Sequence, residues 1–223
     1  MTRKPGGTGF TMKKIDFKKT MKQLYGPAVG PFAEIDVPQM HFVKVDGAGN
    51  PNTSAEYLQA VQGLYGVSYA MKFAARAALS QDYVVPPLEG LWWADDPTAF
   101  AARRKDEWQW TMMIMVPDFV TSAIYEAARD KTRRKLGSLP ETLRLERHDE
   151  GLSLQTLHLG SYDDEAPVLA DLHHRVMPER GLTFNGPHHE IYLSDPRRTA
   201  PARLKTILRQ PVRADPASLT RCA

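Results

Sequence analysis

The sequence predicts an α+β fold of tandem (duplicated) β-α-β-β halves, with antiparallel sheets, helices on one side and a cleft between the halves. Two segments, about 38–120 and 140–212, each read as strand, helix, strand, strand. No stretch of disordered composition separates them. The 223 residues, 42% hydrophobic and 25% charged, suit one large globular domain or two small halves sharing a core. The repeat is one of architecture, because sequence self-similarity between the halves is faint. The resulting division is a basic leader (1–22), a two-halved domain (23–212) and a tail (213–223).

In the first half, Met40–Pro51 reads as a strand, since His41, Val43 and Val45 alternate with Phe42 and Lys44 until a Gly-Ala-Gly-Asn-Pro cluster ends it. A long helix follows. Thr53 and Glu56 have capping-box spacing, and Tyr57, Ala60, Val61, Leu64 and Tyr65 share a face that continues to Leu79. Tyr83–Trp93 is extended, because two prolines and a glycine exclude helix. Trp108–Val120 is the strongest strand signal, rich in aromatic and branched side chains.

The second half begins with a polar helix, TSAIYEAARDKTRRKL, followed by strands at Leu143–Arg147 and Leu152–Gly160 around an Asp149-Glu150-Gly151 turn. SYDDEAPVLADLHHRVM reads as a helix with acids in its first turn, Pro167 near its start and a buried stripe of Val168, Leu169, Leu172 and Val176. His188–Asp195 and Ala202–Val212 close the chain as two strands.

Charge is distributed unevenly behind a net +3. Residues 1–22 and 197–223 each carry seven Lys/Arg against one Asp, whereas 23–196 carries 15 bases and 24 acids. An acidic body argues against a folded nucleic-acid-binding surface and fits a cleft for neutral or cationic ligands. The basic leader lacks the apolar stretch of a secretory signal, and Ile15, Phe17 and Leu24 are expected to pack on the body. No apolar run reaches the roughly 20 residues that cross a bilayer. A single cysteine, Cys222, forms no intramolecular disulfide and points to a cytoplasmic setting.

The residues with chemistry cluster. Trp92, Trp93, Trp108 and Trp110 fall within nineteen positions, with Met113 behind them. Core packing and a ligand surface are both open readings for these residues, since buried indoles need an N–H partner and methionines adapt to varied flat ligands. Glu89 and Glu190 each occupy the strand after their half's helix and are expected to approach one cleft from opposite sides. A carboxylate beside aromatic walls has its pKa raised toward that of a general base. A solvated position or an ion pair with Arg197 or Arg198 is the plainer alternative. Glu190 shares its face with His188 and Tyr192. His158 is either an interior hydrogen-bonded histidine or a pocket donor, and Tyr162 is a pocket candidate at the sheet edge. The adjacent pairs His173-His174 and His188-His189 cannot chelate one ion, and no Walker, dinucleotide or hydrolase-elbow motif is present, so neither metal nor cofactor is expected.

Four segments occur together: Asp-Phe-Lys-Lys (Asp16–Lys19, then Leu24-Tyr25), Pro-Leu-Glu-Gly-Leu-Trp-Trp (Pro87–Trp93), Met-Val-Pro-Asp-Phe-Val (Met115–Val120) and Glu-Ile-Tyr-Leu-Ser-Asp (Glu190–Asp195). In this order they resemble the GyrI-like small-molecule-binding superfamily, over Lys14 to Val212, and most closely its stand-alone branch of cyclopropanoid cyclopropyl hydrolases. The resemblance implies the duplicated fold and a cleft for flat hydrophobic aromatic molecules. It also implies water addition to spirocyclopropane DNA-alkylating compounds, a detoxification. It carries over Glu190 as the acidic ligand or base position, and Glu89, Trp92 and Trp93 as cleft-lining positions. On this expectation Glu190 activates water, Glu89 assists or substitutes, and Tyr192, Tyr162 or His158 contacts the ligand oxygen. The expected protein is a monomer or homodimer with no direct nucleic-acid or membrane partner. A non-catalytic cation sensor is the alternative, and a macromolecular inhibitor acting through the basic ends ranks third.

Overall fold

The computed structural model describes residues 13–96, 99, 102 and 104–219. Residues 1–12 of the leader and 220–223 of the tail, including Cys222, lie outside the described residues.

Nine strands are described: β1 (Ala33–Val37), β2 (Met40–Ala48), β3 (Leu88–Trp93), β4 (Gln109–Val116), β5 (Arg144–His148), β6 (Gly151–Leu159), β7 (Leu182–Phe184), β8 (His188–Tyr192) and β9 (Lys205–Ala214). Eight of them form one sheet in the order β1-β6-β9-β8-β3-β4-β2-β5, every neighbour antiparallel, and β7 pairs with β9. The middle of the sheet reads alike from either side of the β8–β3 seam: β8, β9, β6 one way and β3, β4, β2 the other. At the seam Gly90 pairs with Glu190 and Leu88 with Tyr192.

Two short helices, α1 (Phe17–Thr20) and α2 (Lys22–Tyr25), precede the sheet. The long helix α3 (Ala55–Leu79) joins β2 to β3, and α4 (Ser122–Leu136) packs on α3. The cap of α3 is Ser54 rather than Thr53: the Ser54 hydroxyl accepts from the Tyr57 amide at 3.2 Å, one residue beyond the predicted start. Alpha-helical α5 (Ala166–Asp171) is preceded by a 3₁₀ turn at Tyr162–Asp164 and followed by a π-helical turn at Leu172–Val176. The single helix predicted here is therefore segmented. Pro167 and Pro178 each lack an N–H for the helical ladder, and the Met177 amide bonds back five residues to the Leu172 carbonyl.

One face of the sheet carries α3. Val43, Val45, Trp92, Trp110, Met112, Ile114 and Val116 bury against Ala60, Leu64, Val67, Met71 and Ala75 of that helix. Gly66 lets α4 approach closely, because a Cβ there would lie 2.6 Å from Thr132 Cγ2. The helical segment from α5 onward covers the second half through Leu154, Leu172, Val176 and Met177. The opposite face is covered by α1 and α2. Leu24 and Tyr25 pack with Ile191 and Ile207, and Phe17 and Met21 reach Phe42, Leu91, Met113 and Met115. Ile15, Phe17 and Leu24 thus pack on the body as the sequence suggested. Among the described residues no helix is long and apolar enough to cross a membrane.

Candidate functional site

The period-two alternation of β8 sends His188, Glu190 and Tyr192 to the α3 face and His189 and Ile191 to the other. Since strand neighbours in register share a face, Glu190 lies beside Gly90 of β3 and Leu208 of β9, and Tyr192 beside Leu88 and Thr206. Gly90 matters here: a Cβ would sit 2.7 Å from Trp92 Nε1, so the indole leans over it. From there Trp92 Nε1 donates to the Tyr192 hydroxyl at 2.9 Å. The Tyr192 hydroxyl in turn donates to Glu190.

Aromatic rings surround this floor. Tyr57, from the first turn of α3, lies 6.2 Å from Trp92 and stands edge-on to Trp110 at 5.3 Å. Trp108, just before β4, meets Trp92 edge-on at 5.8 Å, and Tyr162 of the 3₁₀ turn meets Tyr192 edge-on at 5.7 Å. Such geometries suit ring quadrupoles. Lys105 Nζ lies 5.6 Å from the Trp108 ring and 3.6 Å from Asp163, tying the segment before β4 to the 3₁₀ turn. A capping box between Ser161 and Asp164 holds that turn, and His158 Nε2 sits 3.1 Å from the Ser161 carbonyl.

The electrostatics are set by burial. Desolvation raises the Glu190 carboxyl to about 7, although the Tyr192 hydrogen bond and the charges of His189 and Lys105 pull it down. Its side chain is nevertheless 16% exposed and keeps contact with solvent. Glu165, at the head of α5, is 4% exposed, and its Oε1 has no hydrogen-bond partner. Burial and then the neighbouring Glu190 charge push it up to about 10. His188 Nε2 lies 3.6 Å from Glu190, but burial drives its pKa down to about 3, so the contact is not an ion pair at neutral pH.

Glu89 is elsewhere. With Gly90 opposite Glu190, Glu89 falls opposite Ile191 and points to the back face. The expectation that the two glutamates face one cleft fails because they are one register step apart on adjacent strands. Glu89 is 1% exposed and accepts from the Tyr25 hydroxyl at 3.1 Å and from His189 Nε2 at 3.0 Å. His189 Nδ1 reaches Glu150 at 2.8 Å, and Arg209 binds Glu150, Gln155 and the Leu24 carbonyl. Burial disfavours the imidazolium, but Glu150 and Glu89 outweigh it and raise His189 to about 9. Both ring nitrogens therefore donate, and two buried carboxylates balance two buried cations.

Of the sequence candidates, Glu190, Trp92, Trp108, Tyr162 and Tyr192 come together, with His158 adjoining through Thr206. Trp110 is fully buried beneath Tyr57. Trp93 and Met113 share the back face with Glu89: Trp93 Nε1 donates to Gln109, and Met113 packs with Phe42 and Leu91. These residues gather on the helix-bearing face, between α3 and the 162–176 segment. Sequence reasoning passed over Tyr57, Glu165, Lys105 and the full weight of His188. Tyr57 read as helix packing, and Glu165 as one of several acids suited to a helix N-terminus.

An antiparallel sheet with helices over both halves and a half-buried acid ringed by aromatic side chains defines a small-molecule-binding protein. The GyrI-like small molecule binding domain matches residues 31–213, and the chain belongs to that family. An uncharacterized conserved protein from Listeria innocua is 40% identical over 90% of this chain and 100% of its own, with a TM-score of 0.81. Two structures described as hydrolases from Listeria innocua, 40% and 39% identical over the same shares, superpose with TM-scores of 0.77 and 0.79. No curated protein matches the chain.

Proposed function

We propose that this protein binds flat hydrophobic aromatic molecules against Trp92, Trp108, Tyr162 and Tyr192 and adds water to the cyclopropane ring of spirocyclopropane DNA-alkylating compounds. The observation that carries the reading is Glu190: a carboxyl poised near 7, reachable from solvent and set among aromatic rings. The description of two 39–40% identical relatives as hydrolases supports catalysis over binding alone. Glu190 acts as the general base on water, and the developing negative charge on the substrate oxygen is met by a donor on the Tyr192, Tyr162 or His158 side. The rings meet one another, so a ligand enters by parting them. Tyr162, 39% exposed on a short turn, is the exposed ring among them. Glu89 takes no part in the chemistry and holds the seam from behind.

Purified protein incubated with a spirocyclopropane alkylator in ¹⁸O-labelled water is expected to yield the labelled adduct by mass spectrometry. Failure to form it sinks the catalytic reading. The second reading, a non-catalytic binder of lipophilic cations, is favoured by two carboxyls and four rings around one point. Tight quenching of tryptophan fluorescence by cationic dyes, with no turnover of the alkylator, establishes that reading instead.

A further inference from the structure

Glu190 has a partner that the sequence hides. Glu165 closes the site from the head of α5, where the Ser161–Asp164 capping box fixes the turn before it. It is almost completely buried and its Oε1 has no hydrogen-bond partner; Thr206, beside Tyr192 on the sheet, is near enough to lower the carboxyl's pKa, but the Thr206 hydroxyl makes no regular hydrogen bond either. An orphaned carboxyl oxygen in a buried site is expensive unless it meets a ligand. From these positions, and resting on the hydrolytic reading above, we infer that Glu165 is the catalytic proton donor to the substrate oxygen, working opposite Glu190 as base.

The step balances. Water's oxygen bonds to the cyclopropane CH2 carbon, and the strained C–C bond breaks. Its electron pair runs through the conjugated ring to the carbonyl oxygen. Glu190 takes one proton from the water, and Glu165 gives one to that oxygen, leaving an alcohol and a phenol. Glu190 then carries the proton that Glu165 lacks, and one transfer back resets the pair. The environments suit the division of labour, since the two carboxyls are pushed apart, Glu165 the higher. The groups facing the pair are His188 and Tyr192 on β8, Tyr57 on α3, Tyr162 and Asp163 on the 3₁₀ turn, and Lys105 before β4, with the His189 charge behind the sheet.

The test compares wild type, Glu165→Gln and Glu165→Asp for kcat against pH, with affinity for the hydrated product read by tryptophan fluorescence. The inference expects Glu165→Gln to lower kcat by about 10²–10⁴-fold. It should also remove the alkaline fall of the wild-type profile while leaving product affinity within a few-fold. Glu165→Asp should recover part of the rate and restore an alkaline fall. A Glu165→Gln enzyme with wild-type kcat and an unchanged alkaline limb overturns the donor role while leaving hydrolysis by Glu190 standing. A wild type that forms no adduct overturns both. If Glu165→Gln does not fold, Glu165→Asp decides alone: an unshifted alkaline limb contradicts the inference, and a displaced one supports it.

Discussion

Gly90 shows how a single missing side chain can shape the site. It faces Glu190 across the seam, and the Trp92 indole leans over it to bond Tyr192. Gly90→Ala must push that indole aside, because the new Cβ would lie 2.7 Å from its nitrogen. Overpacking of this kind costs about 1–3 kcal/mol. The variant is therefore expected to lose stability in urea unfolding and to bind aromatic ligands more weakly in fluorescence titration. The same scale shows what can be read without a structure. Period-two alternation put Glu190 with Tyr192, and Glu89 with Leu91 and Trp93, correctly in each strand. The register between β3 and β8 joins residues a hundred positions apart, and local pattern carries no information on it. That one offset separates the catalytic candidate from its supposed twin.

At the scale of elements, the back-face network joins α2, β3, β6, β8 and β9 through Tyr25, Glu89, Gln155, His189 and Arg209, with Glu150 between β5 and β6. Removing one partner strands a buried charge, which typically costs 3–5 kcal/mol. Glu89→Gln and Glu150→Gln are both expected to lower the unfolding midpoint markedly. Folded Glu89→Gln protein should still turn substrate over, which separates support from chemistry. The strands and long helices were legible because alternation and 3.6-residue periodicity are local. The 162–179 segment was not, since prolines at 167 and 178 divide what the apolar stripe makes look continuous. Glu165 falls at one of those divisions, where an acid reads as an ordinary helix-start residue.

For the whole molecule, the buried titrating groups give stability a direction with pH. His189 is raised from 6.5 to about 9, so its contribution is complete below 6.5 and disappears as pH rises through 9. Glu165 and Glu190, raised from 4.5, hold extra protons in the folded state and lose stability as pH rises above 4.5, Glu190 through about 7 and Glu165 through about 10. Glu150 works oppositely: its pKa is depressed to about 2, because His189 and Arg209 overcome its desolvation, and its contribution vanishes as pH falls below 4.5. His148, His173 and His188, held by burial at about 4, 4 and 3, let stability rise up to pH 6.5, so unfolding free energy by denaturant titration should be greatest near pH 6 and decline to pH 9. A maximum at pH 8 or above would show that His189 is not held as an imidazolium. The uneven charge noted in the sequence also acquires a place: the acidic body contains both carboxyl systems, one on each face of the sheet.

Glu190, on the helix face, is the proposed base, and Glu89, behind it, is not. Single-turnover rates of water addition to a spirocyclopropane alkylator, measured in parallel for wild type, Glu190→Gln and Glu89→Gln below their unfolding temperatures, test it directly. A loss of about 10²–10⁴-fold is expected in Glu190→Gln alone, with Glu89→Gln close to wild type. A Glu190→Gln enzyme that retains the wild-type rate, or a Glu89→Gln enzyme that loses it while fully folded, would rule out Glu190 as the sole base.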